Sequence, residues 1–119
     1  MGSAYSYDGT LKIVNKSYDH VTLELLKMDN GGSVVVSGRQ YRLVDGPVKL
    51  KQTSCVLNFE EKASDIDLER DYPLRDILEK YSVRVTFEDG KQTMYHVIYG
   101  YNGGSFIEGI FVYTFCFII

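Results

Sequence analysis

Pairs that favour tight turns punctuate this chain at short intervals: Asp8-Gly9, Asn30-Gly31, Asp45-Gly46-Pro47, Asp89-Gly90 and Asn102-Gly103. Asn-Gly and Asp-Gly supply the left-handed backbone that two-residue hairpins require. The stretches between them are rich in β-branched and aromatic residues that tend to alternate with polar ones, the pattern of half-buried strands. A chain divided in this way is expected to be mainly β. "TLKIVNK" (10–16) and "HVTLELLKM" (20–28) read as strands, the second with Val21, Leu23 and Leu25 on one face. "SVVVSGRQYRLV" (33–44) reads as one strand bent or bulged at Gly38, and "PVKLKQTSCVLNFE" (47–60) as the next.

The period then changes. In "DYPLRDILEKY", Pro73 suits a first helical position, and Leu74, Ile77, Leu78 and Tyr81 fall on one face, which predicts a short helix at about 73–81. "SVRVTFEDGKQTMYHVIYGY" reads as a hairpin around Asp89-Gly90. "SFIEGIFVYTFCFII" carries one charge, Glu108, and a strand apolar on both faces belongs at the centre of a fold or under a cover. The expectation is a single domain over 1–119, an antiparallel β-barrel or β-sandwich of seven to eight strands, with the helix before the last three and residues 1–9 as an N-terminal arm. At 119 residues the chain is long enough to bury roughly two thirds of its unfolded surface.

Net charge is −3, which disfavours a polyanionic partner, so no nucleic acid is expected. Residues 1–59 hold seven Lys and Arg against five Asp and Glu; residues 60–119 hold six against eleven. The excess lies mostly in the acidic segment 60–79, which favours a basic partner. Arg39, Arg42, Lys49 and Lys51 read as a solvated sheet face. No run reaches the ~18 apolar residues of a transmembrane helix, and "MGSAYSYDGT" lacks the features of a secretory signal, so the cytoplasm is the favoured compartment. Cys55 and Cys116 each sit in an apolar run, where a free cysteine behaves as a small buried hydrophobe.

Catalytic and metal-binding patterns are scarce. Asp65, Asp67, Glu69 and Asp71 have the odd-numbered spacing of a calcium loop, but the required Gly and Glu positions hold Arg70 and Asp76. His20, His96 and the two cysteines are scattered singly, without metal-ligand spacing. There is no phosphate-cradling glycine loop and no nucleophile elbow. Asn15-Lys16-Ser17 fits a glycosylation acceptor only by its three residues. These absences lead to the expectation of no enzyme, no cofactor and no metal.

Tyrosine is in excess, ten residues with six Phe and no Trp. Tyr gives a large, stiff contact area with a polar tip, which binding surfaces exploit. With alternation continued, Tyr95, Val97, Tyr99 and Tyr101 share one strand face. The candidate binding residues are therefore Tyr95, Tyr99, Tyr101 and Asn102, with Asp65, Asp67 and Glu69 from the acidic segment. The favoured function is a binding module for another protein, of the inhibitor, immunity or accessory type. One alternative is a small-ligand, lipid or carbohydrate binder, for which a Tyr-lined shallow groove would speak. Another is a homo-oligomer assembling through residues 105–119. The tetrapeptide "NGGS" occurs at 30–33 and 102–105 and reads as one turn solution used twice.

Overall fold

The computed structural model describes residues 4–64 and 73–119. They form β1 (Ala4–Val14), β2 (Val21–Met28), β3 (Val34–Val36), β4 (Arg39–Leu50), β5 (Ser54–Ser64), α1 (Pro73–Leu78), β6 (Tyr81–Thr86), β7 (Gln92–His96), a 3-10 turn (Val97–Gly100), β8 (Tyr101–Ile107) and β9 (Ile110–Ile118). One sheet has the order β5-β1-β9-β8 and the other β3-β4-β2-β6-β7. The mainly β fold with one short helix is as the residue pattern predicts, with nine strands among the described residues and four of them after the helix.

Alternation builds the core. Leu11 and Ile13 of β1, Leu57 and Phe59 of β5 and Phe115 of β9 cluster with Val21, Leu23 and Leu25 of β2 and with Val83 and Val85 of β6, so both sheets share one apolar layer. Complete burial of each such side chain contributes roughly 1.5–3 kcal/mol. Leu78 of α1 is buried against the same layer, which explains how a helix of six residues persists without propensity to hold it.

Several turn signals act inside strands instead of between them. Asp8-Gly9 lies within β1, where Gly9 pairs with Phe59 across the sheet. A Cβ on Gly9 would sit 2.0 Å from the Phe59 ring, so the glycine makes space for an aromatic lying on the backbone. Asp45-Gly46-Pro47 lies within β4. Asp45 accepts hydrogen bonds from the Gly46 and Asn58 N–H groups at 2.8 Å each, occupying the outer edge of β5 with a carboxylate. The stretch 33–44 is two strands, because Ser37 and Gly38 both take positive φ (50° and 78°) and close a hairpin. The apolar run at 105–119 also holds an unforeseen hairpin. Glu108 and Gly109, at φ 52° and 82°, make a type I′ turn that splits the last apolar run into β8 and β9.

β9 then runs parallel to β1 from Ser6↔Ile110 to Val14↔Ile118, a departure from an all-antiparallel arrangement. Phe115 is buried and Phe117 half-buried on its inner side, while Ile110, Cys116 and Ile118 are exposed on the other. The predicted cover on both faces is therefore corrected, as is the burial of the thiols. Cys55 is half-buried, Cys116 is exposed, and both are free. Asn15 is buried and spends its amide on the Asp19, Leu50 and Lys51 carbonyls and its oxygen on Ser17, so its side chain is structural.

A polar tie crosses between the sheets. Lys27 of β2 pairs with Glu61 of β5, the Tyr81 hydroxyl donates to the same carboxylate at 3.0 Å, and the ammonium stands 5.6 Å from the Tyr81 ring centre. Burial, followed by the charge and hydrogen bond of Glu61, pushes the Tyr81 phenol well above its usual range. An unfolded tyrosine ionises near pH ~10, so this contribution to stability is complete below about pH 10 and is lost as pH rises beyond it. Urea denaturation across the alkaline range should show that loss. In Tyr81→Phe the alkaline decline should be shallower, and an unchanged slope would contradict the assignment.

Candidate functional site

Of the seven residues singled out from sequence, the four that are described do not form one surface. Asp65, Asp67 and Glu69 lie outside the described residues. Tyr95 points inward from β7, half-buried, with its ring 6.0 Å from that of Phe117. Tyr99 is 84% exposed on the 3-10 turn, edge-on to His96, beside a depression of about 220 Å³ that Arg75 and Glu79 also line. Tyr101 opens β8 in the other sheet. The shared face expected for Tyr95, Val97, Tyr99 and Tyr101 is thus corrected: the turn at Val97–Gly100 breaks the alternation and carries the chain from one sheet to the other. Asn102 is exposed where the β8–β9 register shifts between Tyr101 and Gly104. The second "NGGS" is therefore a bulge inside a strand, whereas the first lies in the β2–β3 connection, and the reading of one turn used twice is corrected too.

Of the predicted residues, Tyr101 alone belongs to an extended aromatic group. With Gly104, Ser105, Phe106, Phe111 and Tyr113 it lines a groove of about 270 Å³ at the β8–β9 end. The rings form a layered surface. Tyr7, buried beneath, stacks on Phe111 at 5.0 Å and on Tyr113 at 6.2 Å, Phe106 meets Phe111 at 4.5 Å, and Tyr101 meets Tyr113 at 6.0 Å. Burial, with Tyr7 and Tyr101 as neighbours, pushes the Tyr113 phenol up. Gly104 is the flat point of the surface, because a Cβ there would stand 2.6 Å from the Tyr113 ring.

The groove borders an edge. β8 is the terminal strand of its sheet, and among the described residues no strand lies beyond it. Its sequence, Tyr101–Ile107, carries no charge, while Phe106 and Ile107 are 53% and 59% exposed. Natural edge strands are usually blunted by charge, proline or cover. Here the bulge at Asn102-Gly103 is the one such device within the strand.

The opposite face of this sheet has a different chemistry. Asp8, Thr10, Asn58, Glu60, Val44 and Val112 line a depression of about 490 Å³. Asp8 and Glu60 are directly paired across β1 and β5, and the buried Asp8 Oδ1 atom has no hydrogen-bond partner among the described residues. Among the described residues, no group of three or more His, Cys, Asp and Glu is placed to hold a metal ion, and no helix is long and apolar enough to cross a membrane.

No family model matches the chain, and no curated protein does. Among solved structures it is similar to the dioxygenase domain of a dioxygenase carbohydrate-binding protein fusion from the cellulolytic bacterium Streptomyces sp. SirexAA-E, at 10% identity and a TM-score of 0.42, covering 97% of this chain and 79% of that one. The expectation that this chain is no enzyme is corrected on that finding, since the similar domain is a dioxygenase's. A likeness at this level carries no activity across.

The residues missed from sequence are Gly104, Phe106, Phe111 and Tyr113. For Phe111 and Tyr113 the signal was present as aromatics at every second position, 111, 113, 115 and 117, which marks one face of a strand. The groove geometry makes a direct prediction. Gly104→Ala should displace the Tyr113 ring and cost about 1–3 kcal/mol, read by urea denaturation with a change in the near-ultraviolet tyrosine signal. Wild-type stability with an unaltered signal would mean that the ring does not lie against Gly104.

Proposed function

We propose that the chain is a protein-binding module that captures an extended, uncharged segment of its partner along β8. The observation that carries this reading is an open strand edge, free of charge, running beside an aromatic groove on the same strand. Strand addition works through that combination: main-chain hydrogen bonds supply affinity, and pockets for alternate side chains supply specificity. The hairpin geometry assigns the parts. In a two-residue hairpin the residues flanking the turn, Ile107 and Ile110, exchange both hydrogen bonds, and the pairs then alternate. Ser105 therefore directs its backbone at β9, and Gly104 directs its backbone outward. A residue added opposite Gly104 projects its side chain to the groove side, against the Tyr113 ring that lies over Gly104.

A second reading, a small polar ligand such as a carbohydrate, is favoured by the Asp8–Glu60 depression. Its carboxylates, amide and hydroxyl suit sugar hydroxyls, and the orphaned Asp8 oxygen is an acceptor in want of a donor.

Selection of a random displayed-peptide library on the wild-type chain separates the two. Strand addition predicts enriched peptides with apolar residues at every second position, bound at least about tenfold more weakly by Phe106→Ser, a loss of about 1.4 kcal/mol. Enriched peptides that bind Phe106→Ser and wild type alike, or no enrichment at all, would sink it. Glycan binding abolished by Asp8→Asn would support the second reading instead.

A further inference from the structure

Resting on the strand-addition reading, we infer that a second copy of this chain is the resident occupant of β8: two β8 strands pair antiparallel about a two-fold axis at Ser105. The edge is self-complementary. Gly104 and Phe106 lie two residues apart, so their side-chain positions share one face. A two-fold at Ser105 sets Phe106 of each copy opposite Gly104 of the other. Each half-exposed ring is then set against the other copy's Tyr113 ring, which lies over Gly104, and the same contact is made twice, as an isologous interface requires.

Charge favours this occupant. Each chain carries −3, so most surfaces of two copies repel, but Tyr101–Ile107 has no charge. The nearest charge along the strand is Glu108, which this register places opposite Asn102 of the other copy. The two Glu108 residues end six strand positions apart, about 20 Å, well beyond the screening length of ~8 Å at physiological salt. Pairing would join two four-stranded sheets into one of eight and bring the two aromatic grooves together on one side. It would also cover an apolar edge that invites unselective strand pairing, and a partner segment would have to displace it.

The register makes a geometric commitment. Because Ser105 hydrogen-bonds toward β9, Ser105 and its symmetry mate form a non-hydrogen-bonded pair with Cα atoms about 4.5 Å apart, within the range a disulfide spans. Light scattering should give wild type twice the single-chain mass of 13.6 kDa. Ser105→Lys, which sets two ammonium groups face to face, should give the single-chain mass with an unchanged circular dichroism spectrum. Ser105→Cys should cross-link under mild oxidation at least tenfold faster than wild type, in which Cys116 is the exposed thiol. A monomeric wild type, a dimer indifferent to Ser105→Lys, or Ser105→Cys no faster than wild type would each overturn self-pairing. If wild type is monomeric and β8 still binds the selected peptides, strand addition stands and self-pairing falls. If wild type is dimeric and selection on it enriches no peptide, self-pairing stands and capture of a foreign strand falls.

Discussion

The parallel pairing of β9 with β1 is the constraint on which the rest of the molecule depends. It holds the C-terminal strand between β1 and β8 and fixes which side of each residue faces the opposite sheet. Phe115 enters the core, Phe117 and Tyr113 pack against it, and Phe111 continues the same row, lining the groove with Tyr113. A shift of one residue would exchange the two faces of β9, placing Cys116 and Ile118 inside and the aromatics outside. The register is held by burial at Phe115, by the Glu108-Gly109 turn, and by the main-chain bonds of Ile119 and Lys16 where β9 ends.

Two further contacts hold the sheets around that strand. The Phe59 ring lies on Gly9 next to β9 and stacks on Tyr81 of the other sheet at 4.2 Å, so one aromatic joins β1, β5 and β6. The Lys27–Glu61–Tyr81 tie stands close by, with its charged side chains less than a fifth exposed. Hydrogen bonds to charged groups of this kind are worth about 1.5–3 kcal/mol. Arg84 and Glu24 add a bidentate pair across β2 and β6. Stability is thus concentrated where β1, β5, β2 and β6 meet. The β8 edge and its groove lie outside that region.

The strands at 10–28 were legible because their inward positions are aliphatic and alternate plainly, as in Val21, Leu23 and Leu25. The helix was legible from Pro73 and the spacing of Ile77 and Leu78. Turn chemistry misled where glycine serves close approach instead of reversal. Gly9 accommodates Phe59, and Gly104 accommodates Tyr113, yet in sequence both resemble loop residues. The reverse error occurred at Ser37-Gly38 and Glu108-Gly109, where residues outside the common Asn-Gly and Asp-Gly pairs adopt positive φ and make tight turns. Missing the second of these hid the edge strand, because β8 and β9 read as one apolar run. Of the predicted binding residues, Tyr101 and Asn102 fall on that edge; Tyr95 and Tyr99 do not, since local alternation could not foresee a 3-10 turn.

The central claim is that β8 is an open edge with alternating backbone directions. Residue-resolved hydrogen exchange on the monomeric Ser105→Lys chain tests it most directly. The account predicts slow exchange at residue 105 and at Ile107, whose amides face β9, and at least tenfold faster exchange at Gly104, whose amide faces outward. Protection at Gly104 equal to that at its neighbours would show the edge to be covered within one chain, and would contradict the account.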